Sequence, residues 1–122
     1  MPYIQHDGLS FNYSDTGSGT PFIFQHGLGA DLTQPVSLVH PDPKFRLIAF
    51  DFRAHGSTQP VGPIEKIGLA PFANDLRAIL DTLKIQRAII GGISMGAAVA
   101  LNFTLRFPDR VMGLIISRPA WL

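Results

Sequence analysis

The sequence predicts an α/β fold, a three-layer αβα sandwich on a mostly parallel sheet that opens with an antiparallel N-terminal β-hairpin. Three observations lead there. Short apolar runs at 22–25, 45–50, 88–93 and 111–117 read as buried strands. Segments with helical periodicity separate several of them, the order that lays helices against both faces of a parallel sheet. Asp7-Gly8, between strand-like runs at 3–6 and 9–13, is a tight-hairpin dipeptide.

The elements follow in order. After the hairpin, 15–21 reads as a turn, and the strand at 22–25 stops at His26-Gly27-Leu28-Gly29. A short helix is expected within 30–40, with Pro35 near its start and Pro41 and Pro43 ending it. The strand at 45–50 ends at Asp51, and a Gly- and Pro-rich loop runs to about Gly68. Pro71 suits the first turn of the next helix, whose Phe72, Leu76, Ile79, Leu80 and Leu83 share one face. The strand at 88–93 then gives way to a small-residue helix that Pro108 ends, and 111–117 is the last apolar strand.

Composition narrows the function. The 122 residues are 46% hydrophobic and suffice for one compact domain. A net charge of +1 gives no footing for nucleic acid. No apolar run is long enough to span a membrane. The start, Met1-Pro2-Tyr3-Ile4-Gln5-His6-Asp7, has no basic n-region or apolar h-region, so a cytoplasmic protein is expected. The lack of cysteine removes disulfides, a thiolate nucleophile and zinc–thiolate sites. No two histidines share metal-ligand spacing on one helix or strand, so neither a metal nor a cofactor is expected.

Gly92-Ile93-Ser94-Met95-Gly96 falls where the strand at 88–93 becomes a helix. A G-x-S-x-G at a strand-to-helix turn is the pattern of a nucleophile elbow, a turn so sharp that side chains flanking the serine collide. Gly92 and Gly96 remove those side chains, and Ser94 is the candidate nucleophile. The bland alternative is a serine that caps the next helix. A dinucleotide-binding loop fails on spacing, because Ile93 and Leu32 interrupt the two possible G-x-G-x-x-G patterns.

Three motifs in order resemble the α/β-hydrolase superfamily, in its small soluble serine branch. They are Gln25-His26-Gly27-Leu28-Gly29, then Asp51-Phe52-Arg53-Ala54-His55-Gly56-Ser57-Thr58, then the elbow. Phe107-Pro108-Asp109-Arg110-Val111 resembles the family's passage from the elbow helix into its sixth strand, and Ala54 stands where glycine is common. The pattern from His26 to Asp31 is similar to ester and lactone hydrolases such as enol-lactonases. The resemblance implies an oxyanion hole made by the backbone N–H groups of Leu28 and Met95, with Gly27 and Gly29 letting the loop bend. It makes His26 a brace of that loop rather than the general base, and His55 a second brace with Asp51 and Arg53 as partners. Met95's thioether is expected near the acyl pocket. Asp75 is either the acid the family carries on this helix or part of a solvated face.

The same resemblance orders the triad as Ser, then Asp or Glu, then His. After Ser94 the sequence holds one carboxylate, Asp109, and no histidine. The expectation is therefore the N-terminal part of a single α/β-hydrolase domain over 1–122, a truncated fold of the first six strands lacking the lid and C-terminal part. The implied substrate is a small-molecule carboxylic ester or lactone, with no nucleic acid or membrane as partner. The chain alone is expected to be catalytically incomplete and to self-associate through the strand at 111–117. A non-catalytic binding or interaction protein that keeps the scaffold is the alternative. Aspartate at the elbow would be expected of a haloalkane dehalogenase or epoxide hydrolase, so Ser94 argues against both.

Overall fold

The computed structural model describes residues 3–119. Six strands form one sheet: β1 (Tyr3–His6), β2 (Leu9–Thr16), β3 (Thr20–Gln25), β4 (Phe45–Phe50), β5 (Ala88–Ile93) and β6 (Val111–Ser117), in the order β1-β2-β4-β3-β5-β6. β1, β2 and β4 are joined antiparallel, while β4, β3, β5 and β6 run parallel. The helices are α1 (Thr33–Leu38), α2 (Leu69–Thr82) and α3 (Met95–Arg106).

Strand boundaries differ from expectation where pairing partners are distant in sequence. β2 continues to Thr16 because 13–16 pair with 47–50 of β4. β3 starts at Thr20 because Thr20 and Pro21 pair with Phe45 and Arg46. Local composition marks 15–21 as a turn; long-range pairing extends the strands into it.

Strand alternation sorts the two faces. Ile23, Ile48 and Ile90 point to one face and are fully buried beneath α2 and α3, with Phe72, Leu76, Ile79, Leu80, Val99 and Phe103. Each such side chain contributes about 1.5–3 kcal/mol over its exposed state. Phe22, Leu47, Ile89 and Ile115 point to the other face. There the six-residue α1 and the segment leading to β4 form the layer, and Val36, Val39 and Phe45 join these four residues around an apolar groove of about 580 Å³.

β6 pairs with β5 along one side only. Met112, Leu114, Ile115 and Ile116 are between 36% and 52% exposed, an apolar edge with few polar interruptions. Among the described residues, no helix is long and apolar enough to cross a membrane.

Candidate active site

Ser94 links β5 to α3 with φ 58° and ψ −120°, a conformation that side chains rarely adopt. The flanking glycines are obligatory on steric grounds. A Cβ on Gly92 would lie 2.3 Å from the Gly96 carbonyl carbon and oxygen. A Cβ on Gly96 would lie 2.2 Å from the Gln25 carbonyl oxygen, so α3 starts directly against the end of β3. The Ser94 N–H donates to the carbonyls of Ser117 and Arg118, at 3.0 and 3.1 Å, tying the elbow to the end of β6. A capping serine would accept an N–H from the first turn with its Oγ; Ser94 makes no such bond.

The loop after β3 comes alongside. A Cβ on Gly27 would lie 3.2 Å from the Ser94 Cβ. The Gly27 carbonyl accepts from the Ala30 N–H at 3.1 Å and from His26 Nδ1 at 2.7 Å. The Phe52 N–H donates to His26 Nε2 at 3.0 Å, so Nε2 is the acceptor and Nδ1 carries the hydrogen. In a trans peptide the N–H opposes the C=O. With its carbonyl held on the His26 side, the Gly27–Leu28 peptide directs the Leu28 N–H away from that ring. Among the described residues, neither this N–H nor that of Met95, in the first turn of α3, meets an acceptor.

His26 is fully buried, with Phe52 edge-on at 4.7 Å and His55 at 5.1 Å between ring centroids. Burial pushes its imidazole below the ordinary 6.5, and the nearby His55 acts in the same direction. A neutral ring with both nitrogens committed braces the loop and has no lone pair free for the Ser94 proton. Leu28 carries its side chain outward, 67% exposed, and Gly29 has φ +75°. The Met95 side chain is buried and packs in the core cluster.

Several supporting contacts lie outside the sequence reading. Asp51 Oδ1 accepts from the Leu32 N–H, and Oδ2 from Asn12 Nδ2 and the Ser57 N–H, all at 2.8–2.9 Å. One carboxylate thereby joins β2 to the loops after β3 and β4. His55 Nδ1 bonds the Arg53 carbonyl at 2.9 Å, so Arg53 is its partner through the backbone, while the Asp51 carboxylate goes to Asn12, Leu32 and Ser57 instead. The Arg53 guanidinium forms a two-point pair with Asp75, at 3.0 and 2.9 Å, both residues 1% exposed. Asp75 is thus not on a solvated helix face. Burial raises its carboxyl, and the Arg53 hydrogen bonds oppose that rise. Gln34 Oε1 accepts from the Gly27 N–H at 2.8 Å. A lone Gln on a short helix carries no periodic signal, and only the folded loop reveals its partner.

The fold and the elbow together define a hydrolase scaffold, and comparison with known proteins agrees. The family model for the alpha/beta hydrolase fold matches residues 20–121, and the chain belongs to that family. It is 34% identical over 113 residues to a 2-hydroxy-6-oxo-2,4-heptadienoate hydrolase of Pseudomonas putida, covering 89% of this chain and 41% of the relative. It is 32% identical over 118 residues to 3-oxoadipate enol-lactonase 2 of Acinetobacter baylyi, covering 92% and 42%. The solved structure of Est816, an N-acyl homoserine lactone degrading enzyme, superposes with a TM-score of 0.83 at 28% identity, over 97% of this chain and 45% of that one. The chain spans less than half the length of these relatives.

Proposed function

We propose that this chain carries the nucleophile and oxyanion hole of a serine hydrolase that cleaves a small-molecule carboxylic ester or lactone, met in the cytoplasm, through a Ser94 acyl-enzyme. The observation that carries this reading is the Ser94 backbone, held at φ 58° and ψ −120° between two glycines that admit no side chain. Such a conformation costs about 1–3 kcal/mol and is retained where surrounding structure imposes it, characteristically at functional sites. A relative named as a hydrolase supports hydrolysis, and a relative named as an enol-lactonase and a neighbour that degrades a lactone support the substrate class.

In the reaction Ser94 Oγ adds to the carbonyl carbon while its proton passes to a base. The charge gathering on the carbonyl oxygen is received by the N–H groups of Leu28 and Met95. Collapse, with the base returning its proton to the leaving oxygen, expels the alcohol or opens the lactone ring and leaves the acyl group on Oγ for water to remove. Gly27 and Gly29 shape the loop, His26 braces it, and Gly92 and Gly96 admit the elbow. His26 does not serve as the base, and no histidine follows Ser94, so the reading requires a base and acid that these 122 residues do not supply.

That requirement favours a second reading for the chain by itself, a non-catalytic binding or interaction protein that keeps the scaffold. The two part experimentally. The product of the complete reading frame encoding this chain is assayed on nitrophenyl esters and a lactone panel beside its Ser94→Ala variant. Turnover that falls to background in Ser94→Ala upholds the acyl-enzyme. Turnover retained in the variant overturns it, and no turnover in either protein favours the second reading.

A further inference from the structure

The geometry points to Gln34 as the positioning residue that fixes the oxyanion loop, an inference that rests on the acyl-enzyme reading above. Gly27 separates two peptide units, and as a glycine it would allow either to rotate at little cost. The second unit is held through its carbonyl by His26 and Ala30. The first is held through the Gly27 N–H, whose acceptor is Gln34 Oε1 at 2.8 Å. The orientation of the Gln34 amide follows from that contact, since an N–H requires the oxygen opposite it.

Gln34 is itself well placed. Its N–H donates to the Asp31 carbonyl at 3.1 Å, and the Asp31 carboxylate accepts the Thr33 N–H at 2.9 Å. Asp51 grips the Leu32 N–H at 2.8 Å. The start of α1 is thereby anchored to the end of β4, and the glutamine reaches back from it into the turn beside Ser94. The Ser94 Cβ and Gln34 Oε1 both lie within van der Waals reach of one point, the position a Gly27 Cβ would occupy, at 3.2 and 3.6 Å. Gln34 therefore holds the turn beside the Ser94 side chain. Without it the His26–Gly27 peptide loses the partner of its N–H, and the next peptide, which bears the Leu28 N–H, rests on the His26 and Ala30 bonds alone, a looser hold than preorganised oxyanion stabilisation requires.

Gln34→Met keeps the length of the side chain and removes the acceptor. In the product of the complete reading frame, kcat on a nitrophenyl ester is expected to fall about tenfold or more, short of the roughly 10²–10³-fold for deleting an oxyanion donor. KM should stay within about twofold, because the ground-state carbonyl uses the hole less than the tetrahedral intermediate does. Gln34→Glu keeps the acceptor but sets a negative charge near the developing oxyanion. Its rate relative to wild type should rise as pH drops and the carboxylate is protonated, which a merely structural role would not produce.

Ser94→Ala is measured alongside. Unchanged kcat in Gln34→Met, with turnover lost in Ser94→Ala, overturns the role of Gln34 and leaves the nucleophile standing. Turnover retained in Ser94→Ala overturns the reading beneath both. If wild type turns over none of the esters, amide exchange on the 122-residue chain decides. Gly27 protection lost in Gln34→Met upholds the glutamine's hold on the loop, and unchanged protection overturns it.

Discussion

Replacing Ser94 by glycine should make the protein more stable while destroying its proposed chemistry. Ser94 sits at φ 58° and ψ −120°, where a Cβ costs about 1–3 kcal/mol. Glycine removes that cost but adds freedom to the unfolded chain, which offsets about 0.4–1 kcal/mol. The net gain is about 0.5–2 kcal/mol, or several degrees in Tm for a domain of this size. Ser94→Ala is the control: it keeps the strained Cβ, and its lost hydroxyl makes no capping bond in the folded state, so its stability should match wild type. The assay is urea or thermal unfolding followed by circular dichroism. If Ser94→Gly is no more stable than Ser94→Ala, the elbow is unstrained and the argument from backbone geometry to function fails.

The remaining predictions test the scaffold. Gly96→Ala drives a Cβ to 2.2 Å from a backbone oxygen and should cost about 3 kcal/mol or more, whereas Gly113→Ala meets nothing within 4 Å and should be near neutral by the same unfolding assay. Asp75→Asn removes the buried carboxylate that meets Arg53 at two points and leaves the guanidinium with Asp7 alone, so it should destabilise by about 1–3 kcal/mol. Lys66 and Arg53 hold the Asp7 carboxyl down to about 2 from its ordinary 3.8, so its stabilising effect is complete above pH 3.8 and fades as pH falls toward 2. Acid unfolding of Asp7→Asn should accordingly be flatter across that window. His26, pushed below 6.5 by burial, lets the unfolded state protonate first, so stability should decline as pH falls below 6.5. Its ring resonances should show the Nδ1–H tautomer at neutral pH. The exposed apolar edge of β6 should make the 122-residue chain self-associate; a monodisperse monomer in sedimentation contradicts that.

What the sequence disclosed and what it hid divide along a physical line. Phe72, Leu76, Ile79 and Leu80 announce their helix because helical period and burial coincide in one stretch of chain. Ser94 is equally legible, since the elbow's steric demands fall on residues two positions away. Contacts between distant segments leave no such trace. Asp75 looks like a surface acid on α2 until the loop after β4 delivers Arg53 to it, and Asp51 gathers three segments that are not neighbours in sequence. Gln34 is silent for the same reason: its partner Gly27 is fixed by the turn between β3 and α1.

The central claim is that Ser94 forms the acyl bond, and its most direct test is the site of covalent modification. The product of the complete reading frame is treated with a fluorophosphonate, digested and mapped by mass spectrometry. One adduct is expected, on the peptide containing Ser94, and none in Ser94→Ala. An adduct on another residue, or ester turnover that persists with Ser94 unmodified, would contradict it.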